Sequence, residues 1–170
     1  MELWDLYDKN RQPLGRQCCR NEPICDGEYH LIAFTLIFNR QKKMLLTLRD
    51  PQKLSYPDLW GNTGGAVQSG ETSRQAIARE VFEETGIRAR QEDFILLDTD
   101  FRSSGHSLTD VFLLINDTPL EAICLQPGET VDAVWVSIEE AEKMMAEGRV
   151  AKPDSERWPE IKAKALPYLK

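Results

Sequence analysis

The chain has 170 residues, of which 41% are apolar and 29% are charged, and this composition excludes a disordered protein. The formal net charge is −7 and no basic run is present, which argues against DNA or RNA as a partner. The N-terminal stretch lacks the regions of a secretory signal, and no segment is apolar enough to cross a bilayer. We therefore expect one cytoplasmic domain over residues 1–170, with no membrane partner.

The first part of the chain predicts β-strands. Two short strand-like pieces flank a polar, proline-containing turn in residues 4–20, which predicts an N-terminal β-hairpin over about residues 1–20. Segments 29–39 and 43–50 are rich in β-branched, aromatic and other apolar residues and are separated by a polar break. They predict two core strands that pair with each other.

The second half of the chain adds three strands. Segments 94–102 and 108–116 predict a strand pair, joined by a loop that contains Ser103, Ser104 and Gly105. Segment 131–137 predicts a shorter strand.

Two helices are predicted near the C-terminus. Ser137 and Glu140 have the spacing of a capping box, and Gly148 is a stop signal for the same helix. Segment 153–170 predicts a last helix, and we expect it to pack Trp158, Ile161 and Leu166 on the body. Strands that alternate with helices along the whole chain indicate a mixed α/β sandwich.

The strongest local signals surround a helix in the middle of the chain. Thr72 and Gln75 form a capping-box pair, and Gly86 is a typical left-handed terminator, so the helix is predicted from about Ser73 to about Thr85. Helical geometry puts four apolar residues on one broad core face. They are Ile77, Ala78, Val81 and Phe82.

Three glutamates, Glu80, Glu83 and Glu84, share a neighbouring face of this helix. Pairs three or four residues apart repel by about 0.2–0.5 kcal/mol when exposed, and the C-terminal half of a helix disfavours anions. Arg79 can reach Glu83, but the sequence shows nothing else that neutralises the set. A solvated acidic face is the ordinary alternative, whereas a bound cation resolves the conflict.

Carboxylate ligands indicate a hard cation such as Mg²⁺ or Mn²⁺, which completes its shell with waters and substrate phosphates. The expected substrate is then a small phosphate ester or anhydride. Gly64, Gly65 and Gly70 precede the helix and allow backbone groups to approach a ligand closely, although glycines in this position can also simply form a turn.

The four cysteines, Cys18, Cys19, Cys25 and Cys124, form no C-x-x-C pair and have no histidines at zinc-finger spacing. Neither a zinc site nor a disulfide framework is indicated, and idle thiols are the simpler interpretation.

The segment from Gly65 through Glu71 to the run Arg79–Ile87 resembles a complete Nudix box, with every fixed position met over 23 residues. The resemblance implies an α/β/α sandwich with a mixed sheet, in which the box forms loop, helix and loop. It also implies a hydrolase that uses Mg²⁺ or Mn²⁺ to cleave a diphosphate linking a nucleoside or a similar group to another moiety.

The same resemblance implies roles for individual residues. Glu80 and Glu84 match the main metal ligands, Glu83 a ligand that often acts through water, and the Gly65 carbonyl a group that completes the shell. Arg79 matches a residue that holds a box glutamate in place. Glu71 is similar to a supporting carboxylate, although Arg79 and Glu71 as surface ion-pair partners are a competing interpretation.

The proton acceptor is not fixed by the resemblance. Glu80 and Glu83 are candidates inside the box, and Glu129 matches an acid that is a metal ligand or a base in some relatives. We prefer Glu129, because an acid free of the metal and of Arg79 is the better base and its Pro-Gly loop is able to move. A loop acid without a catalytic role is the alternative.

The resemblance extends beyond the box to the subgroup related to isopentenyl-diphosphate isomerase. True isomerases of this kind have a catalytic cysteine just after a Trp-x-Asn motif, where this chain has glycines after Trp60 and Asn62. A hydrolase on the isomerase scaffold is therefore expected. The isomerase itself and a non-catalytic nucleotide sensor are the alternatives, although the sensor would be expected to lack box carboxylates.

Two further residues are candidates for substrate contact. Trp60 is expected to pack under the metal loop or to stack on substrate, and His106 lies in a polar loop near the expected pocket mouth. Segment 101–110 as a whole is the expected specificity region. The sequence leaves open which diphosphate is cleaved, how many metal ions take part and whether the chain forms a homodimer.

Overall fold

The computed structural model describes residues 2–102 and 105–170, with the side chain of Arg102 excepted. Ser103 and Ser104 of the predicted loop lie outside these residues. Nine strands and three α-helices follow one another within these described residues. The strands are β1 Leu3–Tyr7, β2 Pro13–Cys19, β3 His30–Phe38, β4 Met44–Arg49, β5 Trp60–Gly61, β6 Thr63–Ala66, β7 Ile95–Arg102, β8 Ser107–Ile115 and β9 Thr130–Val136, and the helices are α1 Ser73–Thr85, α2 Ile138–Ala146 and α3 Lys152–Ala165.

The N-terminal hairpin is confirmed. Strands β1 and β2 pair antiparallel, with Trp4 opposite Cys18. The hairpin is fastened to the body through reciprocal backbone hydrogen bonds between Tyr7 and Tyr29, at 2.8 and 2.9 Å. The indole of Trp4 stacks on the His30 ring with a centroid distance of 4.3 Å. These contacts make the hairpin part of the same folded body.

A mixed sheet has the strand order β5-β4-β3-β8-β7, with β6 beside β3 and β9 beside β4. Strands β3 and β8 run parallel, and β7 pairs antiparallel with β8 as predicted. The predicted pairing of β3 with β4 is correct only at Phe38 and Met44. Beyond that point the two strands separate, because β6 takes the free edge of β3 and β9 takes that of β4.

The sheet is covered on both faces, so the chain is an α/β/α sandwich as expected. Alternate residues of β3 point to opposite faces. Ala33 and Ile37 pack with α1 in one apolar cluster. Leu36 and Phe38 pack with α2 and α3 in the other. No helix in the described part of the chain is long and apolar enough to cross a membrane.

The predicted bounds of helix α1 are confirmed. They were predictable because local signals in the sequence determine both ends of this helix. The capping box between Thr72 and Gln75 is formed, and Gly86 has a φ of 73°. One prediction about its core face is wrong: Phe82 is 42% exposed. It lies at the border of the face, where the Arg88 guanidinium stacks 4.4 Å from the ring centroid instead.

The C-terminal helix also differs from prediction at one residue. Trp158 and Ile161 are buried as expected, but Leu166 is 45% exposed. Helix α3 ends at Ala165, and the chain continues in a 3₁₀ turn from Leu166 to Tyr168. The tighter turn changes the direction of the side chains, so Leu169 is buried in place of Leu166.

Candidate active site

Gly64 and Gly65 lie in strand β6, where the box was expected to begin with a loop. They pair with Phe34 and Ala33 of β3. A Cβ at Gly64 would collide with the Ala33 carbonyl oxygen, and a Cβ at Gly65 would lie 2.5 Å from Oε1 of Glu80. The fold therefore requires glycine at Gly64, because a side chain there would collide with strand β3. It requires glycine at Gly65 because the Glu80 carboxylate approaches the backbone there.

Arg79 connects three carboxylates, those of Glu71, Glu80 and Glu83. Its Nε and Nη2 donate to the two oxygens of Glu71, each at 2.9 Å. Its Nη1 donates to Glu80 at 2.7 Å and to Glu83 at 3.2 Å. The hydrogen bond from Arg79 lowers the pKa of Glu71. Arg79 thus fixes the carboxylate positions around α1.

Glu84 differs from its neighbours because its carboxylate is buried. The residue is 9% exposed, and it forms no ion pair within the described residues. Burial and, to a smaller extent, the nearby charges of Glu80 and Glu129 raise the pKa of Glu84 to about 8, against the opposing effects of Arg49 and of a hydrogen bond from the Gly64 backbone. Burial also raises the pKa of Glu80, against the opposing effect of Arg79. A buried acid of this kind favours a cation partner.

Within residues 2–102 and 105–170, no group of three or more His, Cys, Asp or Glu side chains is arranged to hold a metal ion. The hydrogen bonds from Arg79 explain this arrangement, because they turn Glu80 and Glu83 toward the guanidinium. Arg79 uses one oxygen of each of these two carboxylates, so an ion would be bound by the second oxygen of each.

The box glutamates line a cavity of about 330 Å³, here named the charged cavity. It contains the Gly65 backbone together with Glu80, Glu83, Glu84 and Glu129. Four cationic side chains also line it: Arg20, Arg49, Lys53 and Arg79. The charged cavity therefore offers oxygen ligands beside groups that bind phosphate.

Sequence reasoning missed Arg20, Arg49 and Lys53. Arg49 ends strand β4, and its Nε and Nη2 donate to the Ser55 carbonyl at 3.0 and 2.9 Å. Arg20 follows the hairpin and forms an ion pair with Glu2 at 3.0 Å. No motif marks these cations, since the sheet and the hairpin bring them to the box from distant positions in the chain.

Glu129 lies in the charged cavity as expected, but it is not the free acid on which our preference depended. Its carboxylate forms an ion pair with the Lys53 ammonium. The backbone N–H of Asp50 also donates to the Glu129 carbonyl at 2.9 Å. The Pro-Gly loop is therefore tied to the segment after β4.

A second cavity of about 520 Å³, here named the apolar cavity, lies on the α3 side of the sheet. Its lining includes Phe34, Tyr56, Asn62, Asp154 and Trp158. Gly105 and Ser107 also line it, so the predicted specificity region reaches this cavity through its last residues.

The structure brings neither Trp60 nor His106 into these two cavities. Trp60 packs on the core, and its backbone bonds to Arg149 and Ala151, at 2.9 and 2.8 Å, fix the entry to α3. His106 has a φ of 47°, and its Nδ1 lies 3.1 Å from the Glu28 carbonyl oxygen.

None of the four cysteines forms a disulfide bond within the described residues. None of them lines the charged cavity or the apolar cavity.

Comparisons with known proteins agree with this geometry. The family model of the NUDIX domain matches residues 28–156. An uncharacterized Nudix hydrolase of Listeria monocytogenes is 35% identical over 152 residues, which cover 87% of each chain. An isopentenyl-diphosphate Delta-isomerase of an Enterobacter species is 32% identical over 116 residues, covering 64% of this chain and 62% of the isomerase. A crystal structure from Deinococcus radiodurans aligns with a TM-score of 0.74 at 25% identity, over 90% of this chain and 94% of that one.

Proposed function

The chain belongs to the Nudix family, and from that premise we propose that it is a divalent-metal-dependent hydrolase of a diphosphate linkage. The expected substrate is a nucleoside diphosphate derivative or a related small molecule. One observation carries the proposal: the buried carboxylate of Glu84 shares a cavity with two more box glutamates and with four cationic side chains. Such a cavity suits a substrate that carries both phosphate and a metal ion.

The donor set fits Mg²⁺ or Mn²⁺. Glu84 is buried with a raised pKa and no ion pair among the described residues, so a cation is the partner that would restore its charge. Glu80, Glu83, Glu84 and the Gly65 carbonyl are the groups that would hold the ion, and all are hard oxygen donors. When bound, such an ion screens the charge of a diphosphate and lowers the pKa of a water molecule in its shell.

The residues of the chain perform the remaining tasks in this proposal. Arg49, Lys53 and Arg20 bind and orient the diphosphate oxygens, which lets water attack in line with the leaving group. Arg79 keeps Glu71, Glu80 and Glu83 in position, as its hydrogen bonds indicate. Arg79 is therefore a positioning residue.

Glu129 remains our proposed proton acceptor, although its carboxylate is ion-paired with Lys53. Lys53 lines the charged cavity beside Glu129, so it can transfer its contact from the carboxylate to a substrate phosphate. That exchange would release Glu129 to accept a proton from water. Glu80 and Glu83 are the competing bases.

The base assignment is tested by turnover of Glu129→Gln and Glu80→Gln at saturating Mg²⁺. Loss of a general base lowers the rate by about 10²–10⁴-fold. Glu121→Gln is the matched control, because Glu121 is an exposed acid in the same part of the chain. If Glu129→Gln stays within a few fold of the unmodified protein while Glu80→Gln falls by thousands, the base is inside the box.

The activity is tested with purified protein, Mg²⁺ or Mn²⁺, and a panel of nucleoside diphosphate sugars, dinucleotides, nucleoside triphosphates and prenyl diphosphates. We expect cleavage of a phosphoric anhydride in at least one class. Calorimetry should detect divalent-ion binding that strengthens in the presence of a diphosphate. Absence of ion binding, even with a substrate analogue present, would contradict the metal assignment.

The isomerase is the less favoured function, because no cysteine lines either cavity. A sensor without activity is less favoured because the box carboxylates are all present. Three statements stay predictions from the sequence: residence in the cytoplasm, one functional unit over residues 1–170, and the absence of a nucleic-acid partner. Whether the chain forms a homodimer stays open.

A further inference from the structure

The turn that precedes helix α1 is held by the N-terminal hairpin. It covers residues 68–71, and the N–H of its last residue donates to the carbonyl of its first residue at 3.0 Å. A turn of this kind leaves the N–H groups of its two middle residues without a partner inside the turn. The Ser69 N–H donates to the Leu3 carbonyl of strand β1 at 2.8 Å. The Gly70 N–H donates to the Asp5 carboxylate at 2.9 Å, so β1 satisfies both groups.

Asp5 is the side chain on which this contact depends. Its Oδ2 accepts the Gly70 N–H, and its Oδ1 accepts the Ser69 hydroxyl at 2.8 Å and the Gln17 side-chain amide at 3.0 Å. Burial raises the pKa of Asp5, but the hydrogen bonds outweigh that effect and lower the pKa below its ordinary value. Hydrogen bonds to an ionised acceptor are about twice as strong as those between neutral groups. The Asp5 carboxylate is therefore a strong anchor for the turn.

The turn carries Glu71, which binds Arg79. The Gln68 N–H, at the start of the turn, donates to Oε2 of Glu71 at 3.1 Å, so the two ends of the turn share this carboxylate. Nε and Nη2 of Arg79 donate to its two oxygens, and Nη2 also donates to the Ala66 carbonyl at 3.2 Å. A guanidinium is planar, so a pair of parallel hydrogen bonds to one carboxylate fixes the direction of its remaining N–H groups. The position of the turn therefore sets the orientation of the Arg79 guanidinium.

The remaining edge of the guanidinium faces the box glutamates. Nη1 of Arg79 donates to Oε1 of Glu80 at 2.7 Å and to Oε2 of Glu83 at 3.2 Å. One oxygen of each carboxylate is thus held, and the second oxygen is left for an ion. A continuous series of hydrogen bonds consequently runs from Asp5 through the turn and Arg79 to the proposed metal ligands. Asp5 itself is not among the described residues that line the charged cavity.

Other contacts attach the hairpin to the body without Asp5. Tyr7 and Tyr29 exchange backbone hydrogen bonds, and Arg11 forms an ion pair with Asp110 at 2.8 Å. Removal of the Asp5 carboxylate should therefore free the turn while the hairpin stays in place. Loss of position and loss of fold are separable for this residue.

We propose that Asp5 is a positioning residue for the divalent-ion site: by holding the turn, it keeps Arg79 in the orientation that presents the box glutamates to the ion. This inference rests on the proposed function and adds to it a residue that lies outside the box and outside the segment matched by the family model. The alternative is that Asp5 only strengthens the attachment of the hairpin. In that case it affects the free energy of unfolding and not ion binding.

The first test is calorimetric titration of the full chain with Mn²⁺ at one pH. We expect Asp5→Ala to weaken Mn²⁺ binding at least about fivefold, less than the about 10–100-fold that is typical when a direct partner of a ligand is lost. Asp5→Asn should recover most of the affinity, because its amide oxygen still accepts the Gly70 N–H. Asp8→Ala is the matched control, since Asp8 accepts the N–H groups of Asn10 and Gln12 in the connection between β1 and β2, at 2.8 and 2.9 Å. It should keep wild-type affinity, although both alanine variants lose stability in urea.

The second test needs no metal. The Nε–H signal of Arg79 in a proton–nitrogen NMR spectrum, recorded in EDTA, reports its hydrogen bond to Glu71. Asp5→Ala should shift this signal and speed its exchange with solvent, whereas Asp8→Ala should leave both unchanged. Ser69→Ala removes the hydroxyl donor to Asp5 and leaves the hairpin side chains intact. It should shift the signal in the same direction, which decides the question if Asp5→Ala does not fold.

Three results would overturn the proposal. They are wild-type Mn²⁺ affinity in a folded Asp5→Ala protein, an equal loss of affinity in Asp8→Ala, and an Arg79 signal that neither Asp5→Ala nor Ser69→Ala shifts. If the unmodified chain binds no Mn²⁺, the proposed function fails instead, and the Arg79 signal still shows whether Asp5 positions the guanidinium.

Discussion

The backbone at Gly65 is in direct contact with the carboxylate of Glu80, since a Cβ at Gly65 would lie 2.5 Å from Oε1 and 2.8 Å from Oε2. A side chain at this strand position and the glutamate in its present place are mutually exclusive.

Gly65→Ala is therefore expected to lower turnover by at least about tenfold, or ~1.4 kcal/mol in the barrier, while the protein stays folded. Glu80 has a flexible side chain and can move, but it then leaves its place in the site. Gly64→Ala is the matched variant: its Cβ meets the Ala33 backbone, and we expect a loss of about 1–3 kcal/mol in the free energy of unfolding. Turnover and urea denaturation of the two proteins separate the effects. Wild-type turnover in Gly65→Ala would show that the position of Glu80 is unimportant.

The second prediction concerns Glu84. Its pKa in the folded protein is raised from 4.5 to about 8, so the metal-free fold is favoured by protonation. This contribution to the free energy of unfolding is complete below pH 4.5 and is lost as the pH rises through 8, by roughly 5 kcal/mol. Glu84→Gln should remove that decrease in EDTA, and it should also remove the stabilisation by saturating Mg²⁺.

The measurement for Glu84 is urea denaturation between pH 5 and pH 9, with and without Mg²⁺. Glu83→Gln is the control, because the Glu83 side chain is 41% exposed. The interpretation of Glu84 as a buried acid fails if Glu84→Gln has the same pH dependence as the unmodified chain.

The third prediction separates hydrolase from isomerase. Replacing Cys18, Cys19, Cys25 and Cys124 by serine together should leave diphosphate cleavage within about tenfold, because no cysteine lines either cavity. Incubation of the unmodified protein with isopentenyl diphosphate should give no dimethylallyl diphosphate by chromatography. Detection of that product would contradict the assignment.

The fourth prediction concerns His30, which is buried against Trp4. Burial lowers the pKa of His30 to about 4, with Glu2 opposing the shift and His106 adding to it. The neutral ring therefore contributes stability that is present above pH 6.5 and is lost as the pH falls through 4, by roughly 3 kcal/mol. His30→Phe should flatten this part of the denaturation profile, whereas His106→Asn, which suits the positive φ, should not. Equal profiles for His30→Phe and the unmodified protein would refute this origin.

The parts of the fold that local sequence determines were predictable. Thr72, Gln75 and Gly86 fix both ends of α1 through contacts within a few residues, and the short connection between β7 and β8 favours their antiparallel pairing. Phe82 and Leu166 were assigned wrongly because the border of a buried face depends on neighbouring elements. The separation of β3 from β4 is also a tertiary effect, since it depends on where β6 and β9 pair.

The candidate site divides in the same way. The box carboxylates are close in sequence, so the charge pattern alone indicated them. Arg49 and Lys53 are far from the box in the chain and carry no motif, and only the sheet brings them to it. The burial of Glu84 could not be predicted from the sequence either. Helical periodicity predicts the face of α1 on which the side chain lies, but not which other elements cover that face.

The N-terminal hairpin has a consequence for how such enzymes diversify. The family match covers residues 28–156, yet Glu2, Trp4 and Arg20 form one wall of the charged cavity. Trp158 and Ile161, at the other end of the chain, form part of the apolar cavity and also lie outside the match. A protein cut to the matched segment would retain every box residue and lose parts of both walls. The box residues and several residues of the cavity walls thus lie in separate parts of the chain, so substitutions at its two ends can alter the cavities without altering the box.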